Sequence, residues 1–277
     1  MNFFRTKLIQ LGVLFSILRR FENPFLIILL RLGIIKMPYF PYRLRKDGHQ
    51  FLMLARPTTT SMADLFVLRE VLLEETYKDI LPFLTGSGLR MVDIGANLGS
   101  FTVWLRHRVD LREAYCFEPE PDSFRLLQFN LSRNDCSFAR PLPFAVGGEE
   151  RMAQVTLTTS SPGASSIYRP QTNEKKLPVT TIRVVSFEEW LKGIEGNFDL
   201  LKLDCEGAEW EIIQKTSPRQ FTRFRVIVAE VHGDPHNRAS IEDFKSFMES
   251  LGFGTVRWDA YAQGLYVGVR GWKKPEE

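Results

Sequence analysis

Short apolar runs alternate with amphipathic stretches from residue 90 to the end of the chain. Runs such as RMVDIG, AYCFEPE, FDLLKLD and FRVIVAEV predict buried strands, whereas LGSFTVWLRHR, AEWEIIQK and IEDFKSFMESLG have the periodicity of helices. Strands that alternate with helices build a mainly parallel sheet that is covered on both faces. We therefore expect an α/β fold, and we interpret LPFAV as one of its shorter strands.

The chain ends with two strand-like runs, FGTVRWD and GLYVGVR, which are joined by the short segment AYAQ. A parallel crossover needs about a dozen residues or more, so these two strands must pair antiparallel. The predicted sheet is thus seven-stranded and mainly parallel, with an antiparallel terminal hairpin.

The first 85 residues do not follow this alternation. They predict a partly helical lead-in, with a small β element at YRLRKDGHQFLMLA, in front of a main domain at residues 86–277. The apolar stretches LGVLFSIL and PFLIILL are each shorter than the roughly 20 residues that span a bilayer. We expect residues 1–36 to dock on the domain, and the alternative is peripheral contact with an anionic membrane surface.

Charge is unevenly distributed along the chain. Residues 1–50 hold nine Lys and Arg against two acids, a net charge of +7, so the rest carries −4 of the total of +3. That total does not indicate a nucleic-acid partner. The three cysteines form no CxxC pair, so we expect no disulfide framework and a reducing, cytoplasmic location, with a membrane-peripheral one as the alternative. The oligomeric state is not predicted.

A nucleotide site is predicted where MVDIGANLGSF turns from a strand into a helix. Gly95 and Gly99 would let the backbone approach a ligand, and the helix start offers unpaired N–H groups. Glu118 ends the next strand, at the spacing where an acid accepts hydrogen bonds from ribose hydroxyls. Asp93 would repel a pyrophosphate but suits a cationic ligand, which disfavours a nicotinamide dinucleotide.

Four segments of the chain, in order, resemble the FkbM family of S-adenosylmethionine-dependent methyltransferases: VDIGANLGSFT, CFEPEPDSFRLLQFNL, FDLLKLDCEGAEWEII and VIVAEVH. The resemblance covers roughly residues 40–270. It implies a Rossmann-like class I methyltransferase fold, binding of S-adenosylmethionine, and methyl transfer that is usually directed to a hydroxyl. It also implies cofactor contacts from Asp93, Gly95, Asn97, Glu118, Ala145 and Val146, and Tyr77 stands at a recurring family position.

Catalytic candidates follow from the rule that ligands sit beyond the carboxyl ends of strands in an open α/β sheet. Asp204 ends one strand, and Glu230 and His232 end the next. We expect His232 to remove the acceptor's proton because an ordinary histidine titrates near neutral pH, with Asp204 or Glu230 orienting it or acting in its place. A metal held by these three residues is the alternative, although histidine is a poor Mg²⁺ ligand, so we expect none.

Other acids and hydroxyls are secondary candidates for substrate contact. Glu206 lies in the turn, and Glu209 would either grip the substrate or pin the loop, whereas Glu211 is expected to face solvent. Ser165 and Ser166 lie in a long polar loop at residues 159–178 that is interpreted as a lid.

The favoured function is O-methylation of a hydroxyl on a sugar, glycan or natural product. Methylation of an amine or a carboxyl group is the first alternative. The second is a non-catalytic protein that binds the cofactor or a partner, although the acids at positions 93, 118, 204 and 230 argue against loss of activity. No motif in the chain names the acceptor.

Overall fold

The computed structural model describes residues 19–57, 63–156, 179–236, 238–260 and 264–274, and the described part of the lead-in contains a helix and a β-hairpin. Helix α1 spans Pro24–Arg31, and strands β1 (Phe40–Lys46) and β2 (His49–Ala55) pair antiparallel. Asp47 and Gly48 form the turn with φ angles of 51° and 79°, the positive values that a tight hairpin requires. The predicted β element is confirmed.

A helical segment then leads to the main sheet. Helix α2 (Ala63–Leu68) continues as a π-helical turn at Arg69–Glu74, and a 3₁₀-helix follows at Lys78–Phe83. Leu44 and Phe51 of the hairpin are fully buried in the same apolar cluster as Met91 and Leu200 of the main sheet. The lead-in therefore packs into the core of the protein, and a boundary at residue 85 stays a prediction.

The rest of the chain builds one large sheet and one small one. The further strands are β3 (Leu89–Ile94), β4 (Leu111–Phe117), β5 (Ala139–Leu142), β6 (Ala145–Gly147), β7 (Arg151–Thr156), β8 (Val179–Ser186), β9 (Phe198–Leu203), β10 (Phe224–Val231), β11 (Phe253–Ala260) and β12 (Gly264–Arg270). The further helices are α3 (Ser100–Arg106), α4 (Pro121–Arg133), α5 (Phe187–Lys192), α6 (Ala208–Lys215), α7 (Pro218–Phe221) and α8 (Ile241–Ser250).

The large sheet has seven strands in the order β5-β4-β3-β9-β10-β12-β11, and β12 pairs antiparallel with both of its neighbours. This is the predicted mainly parallel sheet with an antiparallel terminal hairpin. Chain order reverses direction between β3 and β9, so the crevice for a ligand is expected at their carboxyl ends. Asp93 on β3 lies opposite Lys202 on β9 in this register.

The prediction that LPFAV forms one strand is wrong. The run divides into the end of β5 and strand β6, and β6 pairs with β8 in a separate three-stranded sheet, β6-β8-β7. Pro143 stands at the division, where it cannot donate a ladder hydrogen bond. The chain therefore leaves the large sheet at this point.

Two asparagines, one on α4 and one directly after it, hydrogen-bond the backbone groups on the free edge of β2. The Asn130 side chain accepts from Leu54 N at 2.7 Å and donates to Leu54 O at 3.0 Å. Asn134 makes the same pair of bonds with Leu52, at 3.2 and 2.9 Å. Because the two asparagines are one helical turn apart, they meet alternate residues of β2 as a neighbouring strand would.

Candidate functional site

Two clefts meet at the carboxyl ends of β3 and β9. The β4 cleft encloses about 780 Å³ and is lined by the ends of β3 and β4, by Ala145 and Val146, and by Ile182 of β8. The acid cleft encloses about 830 Å³ and is lined by Lys202, by several carboxylates and by the lead-in. Four residues line both clefts: Gly95, Asn97, Asp204 and Glu206.

Glu118 lies on the wall of the β4 cleft, as the ribose-binding prediction requires. It is buried, and its two carboxylate oxygens accept from Glu120 N at 2.8 Å and from Asn97 N at 2.9 Å. Burial raises the pKa of Glu118 to about 7, against these two hydrogen bonds, which lower it. Each oxygen keeps a second lone pair, so the carboxylate can still accept from a ligand.

Asn97 adds a polar group to the same wall. Its backbone has a φ of 48°, in the left-handed region that asparagine tolerates better than most residues. Its Oδ1 is buried and has no hydrogen-bond partner among the described residues. Because a buried polar atom rarely stays unpaired, this oxygen is fitted to accept from a ligand.

The two predicted glycines have different neighbours. A Cβ on Gly95 would lie 1.8 Å from the carbonyl oxygen of Asp204, so glycine is required where the two strand ends meet. A Cβ on Gly99 would lie 2.8 Å from Leu127 of α4, and Gly99 lines neither cleft. The prediction that Gly99 contacts the cofactor does not fit this geometry, because close packing of two helices explains the residue.

Asp93 also departs from its predicted place. It is fully buried and lines neither cleft. Its Oδ2 accepts from Thr102 at 3.0 Å, and its Oδ1 lies 3.3 Å from the Lys202 ammonium. The predicted direct contact between Asp93 and a cationic cofactor therefore does not fit, since the cation that this carboxylate meets is a lysine of the next strand.

Lys202 is a site residue that the sequence analysis missed. Its buried ammonium lies 3.2 Å from Asp204 Oδ2 and donates to Gly95 O at 3.0 Å. Burial lowers the pKa of Lys202, but Asp204 and Asp93 outweigh it and hold the pKa well above its ordinary value. The group is therefore a permanent cation that joins the ends of β3 and β9.

The acid cleft collects most of the remaining predicted residues. Tyr77 lies here and not in the β4 cleft, buried edge-on against the Phe101 ring at 5.0 Å between centroids. Burial, followed by the charge of Asp204, raises the pKa of Tyr77 well above its ordinary value, so the phenol stays protonated. The carboxylates on the wall are Asp64, Glu70, Asp204, Glu206 and Glu230.

His232 is oriented by Glu209. The His232 Nδ1 lies 3.1 Å from Glu209 Oε1, and the same fully buried carboxylate accepts from Cys205 N at 2.7 Å and from Gly207 N at 2.8 Å. These three contacts favour the alternative in which Glu209 pins the loop over the one in which it grips the substrate. With Nδ1 occupied, the imidazole presents Nε2, which lies 3.8 Å from Glu206 Oε2.

The protonation of His232 differs from the expectation. Burial lowers its pKa, but the hydrogen bond to Glu209 and the charges of Glu209, Asp204 and Glu206 raise it to about 9. The imidazole is therefore charged at neutral pH, which weakens the argument for His232 as the base. Asp204, and after it burial, raises the pKa of Glu230 well above that of an ordinary glutamate.

Asp204, Glu230 and His232 come together as predicted, with one ligand atom from each within 4.8 Å of the others. A single ion could contact all three atoms. However, the Lys202 ammonium already lies against Asp204, and a second positive charge there would be repelled.

Arg56, after the hairpin, is a second residue that the sequence analysis missed. Its guanidinium lies 3.1 Å from Asp64 and 3.1 Å from Glu120, and it donates to Ser123 Oγ at 3.0 Å. Glu120 caps α4 through bonds from Asp122 N and Ser123 N. The charge of Arg56 thus joins the lead-in to the wall of the β4 cleft.

The remaining candidates have separate outcomes. Glu211 was expected in solvent but forms a bidentate ion pair with Arg151 of β7, at 2.7 and 2.8 Å, so the expectation is wrong. Glu206 lines both clefts as predicted. Ser165 and Ser166, with the rest of loop 159–178, lie outside the described residues.

Comparisons with known proteins found similar methyltransferases. A family model described as the methyltransferase FkbM domain matches residues 93–254. Methyltransferase 1 of Beauveria bassiana is 25% identical over 209 residues, covering 69% of this chain and 81% of that protein. Methyltransferase sdnD of Sordaria araneosa is 26% identical over 225 residues, covering 69% and 83%.

Among solved structures, a methyltransferase FkbM from Methylobacillus flagellatus aligns with a TM-score of 0.45 and 15% identity. The alignment covers 67% of this chain and 45% of that protein, so the chain matches less than half of that protein's length.

Proposed function

The chain belongs to the FkbM methyltransferase family, and on that premise we propose that it transfers a methyl group from S-adenosylmethionine to a hydroxyl of a sugar, glycan or related natural product. Family membership supports S-adenosylmethionine as the donor. When bound, this cofactor supplies a methyl group on a positively charged sulfur, and displacement at that carbon requires an aligned nucleophile and an acceptor for its proton.

The β4 cleft is the proposed donor site. Glu118 would accept from ribose hydroxyls, and the unpaired Oδ1 of Asn97 would accept from an N–H or O–H group of the ligand. Ala145 and Val146 offer an apolar surface to the adenine. The residues shared with the acid cleft mark the place where donor and acceptor meet.

The charge of the acid cleft is the observation that carries the choice of acceptor. Its described lining includes five carboxyl groups and the cation Lys202. Arg56 pairs with Asp64, and the charged His232 lies 3.8 Å from Glu206. Carboxylates accept hydrogen bonds from hydroxyls and repel other anions. A polyhydroxylated, uncharged acceptor therefore fits this cleft, whereas a carboxylate acceptor does not.

Glu230 is the proposed proton acceptor. Its pKa, raised to about 8, lies closer to neutral pH than the pKa of His232, so the ionised fraction of Glu230 would take the proton. The Lys202 ammonium lies 3.2 Å from Asp204, and Asp204 would orient the acceptor hydroxyl. His232, charged and held by Glu209, would offset the negative charge of the cleft.

We propose that the reaction needs no metal, because Lys202 already supplies the positive charge beside Asp204. A chelator should then leave the rate unchanged. Activity that is lost with a chelator and restored by a divalent ion would contradict the proposal.

The acceptor class is tested with matched pyranosides that differ at one group: a neutral glycoside, the uronic acid and the 2-amino sugar. We expect labelled methyl from S-adenosylmethionine to reach the neutral sugar as an alkali-stable ether, at a rate at least about tenfold above the uronic acid. An alkali-labile ester on the uronic acid would contradict methylation of a hydroxyl. Labelling of the amine alone would show that the reaction is N-methylation, which an acidic cleft also permits.

A further inference from the structure

Helix α1 is apolar on opposite faces. Ile27 and Leu30 point into the protein and are 0% and 5% exposed. On the other side Phe25 and Leu32, the residue directly after the helix, are 75% and 66% exposed. A surface helix normally carries polar residues on its outer face, so an apolar outer face indicates a second contact that is not made within this chain's described residues.

The exposed apolar surface continues beyond the helix. We call Phe25, Leu26, Leu32, Ile34 and Met37 the α1 patch, and each is at least 40% exposed. The other large exposed apolar side chains in the described part of the chain are dispersed: Phe66 on α2, Met152 on β7 and Val179 on β8. Single exposed apolar residues are ordinary, whereas a concentration in 13 consecutive positions of the sequence marks an interaction surface.

The residues around the α1 patch carry positive charge. No acid occurs between residues 23 and 46. Exposed cations lie before the patch (Arg19, Arg20), within it (Lys36) and after it (Arg43, Arg45). Arg45 is offset by Glu22, at 2.8 Å. An apolar surface bordered by cations complements an anionic lipid bilayer, which offers both acyl chains and negative headgroups.

We infer that the α1 patch docks this protein on the surface of an anionic membrane. No described helix is long and apolar enough to cross a bilayer, so the contact is peripheral. A second copy of the chain is a poorer occupant, because pairing two such surfaces would bring their cations together. The docking does not depend on the proposed methyl acceptor.

The lead-in also connects the α1 patch to the acid cleft. Arg20, just before α1, donates to Leu73 O at 3.1 Å, within the π-helical turn. Glu70 and Val71 of the same turn line the acid cleft. Docking through α1 would therefore hold the lead-in wall of this cleft against the bilayer, where a membrane-bound acceptor would enter.

Vesicle flotation with the full chain tests the inference. We compare the unaltered protein, the double variant Phe25→Ser/Leu32→Ser and the control Met152→Ser, which removes an equally exposed apolar side chain from β7. Vesicles are pure phosphatidylcholine, or phosphatidylcholine mixed with phosphatidylglycerol. Circular dichroism confirms folding of each protein, and light scattering in the absence of lipid reports the oligomeric state.

The unaltered protein and Met152→Ser should float with the anionic vesicles and hardly with the neutral ones, and raised salt should weaken the association. The double variant should bind at least about tenfold more weakly, because two apolar side chains no longer enter the interface. Equal flotation of the double variant, equal binding to neutral vesicles, or no flotation at all would overturn the inference. A lipid-free dimer that the double variant abolishes would assign the patch to self-association instead.

Discussion

The β4 cleft and the acid cleft share one floor but differ in how the chain builds them. Most of the proposed donor contacts come from the ends of β3 and β4, two neighbouring strands separated by one helix. The wall of the acid cleft joins the lead-in to the ends of β9 and β10, which follow it by more than a hundred residues.

The two clefts also differ in their polar lining. Asp204 and Glu206 line both, and the β4 cleft adds Glu118, whose pKa is raised to about 7 by burial, and Glu120, among apolar side chains. The acid cleft concentrates carboxylates around Lys202. The donor site can therefore keep the same cofactor contacts while changes in the lead-in alter the acceptor site. Five substitutions test this division.

Lys202→Met should have the largest effect, because Lys202 pairs with the buried Asp93 and with Asp204, which lines both clefts. Its removal leaves the fully buried carboxylate of Asp93 without a cation, which should lower the free energy of unfolding by about 3–5 kcal/mol. Urea denaturation measures the loss. The control Lys192→Met, which removes an exposed lysine on α5, should leave the free energy of unfolding nearly unchanged.

The double variant Lys202→Met/Asp93→Asn tests the cause. If the unpaired charge is responsible, the second substitution restores part of the stability, and the two effects are not additive. Additive losses would mean that Lys202 acts through packing alone.

Glu118→Gln and Glu230→Gln should affect different functions. Glu118→Gln should weaken binding of S-adenosylhomocysteine by about 10–100-fold, since a charged acceptor for the ribose is lost. Glu230→Gln should leave that affinity within about threefold and lower the methyl-transfer rate by about 10²–10⁴-fold. Calorimetry and single-turnover transfer measure the two effects. Loss of cofactor affinity in both variants would show that the clefts are not separate.

Glu209→Gln should act on the acid cleft through His232. Without the Glu209 charge, the pKa of His232 should fall from about 9 toward the ordinary value of about 6.5, because burial then dominates. Two-dimensional NMR of the imidazole follows this titration, and turnover should fall by about tenfold. Glu242→Gln, on α8, is the control. An unchanged His232 titration would remove the positioning role of Glu209.

Glu75→Gln should have the smallest effect, on the attachment of the lead-in. Glu75 lies 2.7 Å from the Lys46 ammonium and accepts from Trp104 at 3.2 Å. Burial raises its pKa, but these contacts and Arg108 lower it to about 2. A carboxyl with a depressed folded pKa stabilises the protein above its unfolded value of about 4.5 and loses that contribution as the pH falls toward the folded value.

The stability difference between the native protein and Glu75→Gln should therefore be about 1–2 kcal/mol at neutral pH and should shrink between about pH 4.5 and 2. Thermal unfolding across this range measures it. A difference that stays constant with pH would mean that Glu75 contributes by its shape and not by its charge.

Local patterns predicted most of the fold. Alternating runs and the short terminal turn correctly indicated the seven-stranded sheet, whereas LPFAV misled because Pro143 ends a strand that its apolar neighbours would continue. Among site residues, Glu118 directly follows a strand end and lines the β4 cleft, and its contact with the ribose stays a prediction.

Prediction from the sequence failed where the function of a residue depends on a distant segment. Asp93 has the position of a ligand contact, but its carboxylate is taken by Lys202 of another strand. A signal for Lys202 was present, since a lysine inside the apolar run FDLLKL of a parallel sheet must find a buried partner. Arg56 had no such signal, because its partners lie on α2 and α4.

The asparagine pair at the end of α4 has a consequence during protein synthesis. Asn130 and Asn134 cover the hairpin edge, which is synthesised before them: Leu54 on that edge precedes Asn130 by 76 residues. At roughly 5–20 residues per second, translation leaves that edge open for about 4–15 s. An open edge is a template for pairing with another chain, so this is the interval in which nascent chains are most exposed to aggregation. Once α4 docks, its two amides remove that hazard from the finished protein.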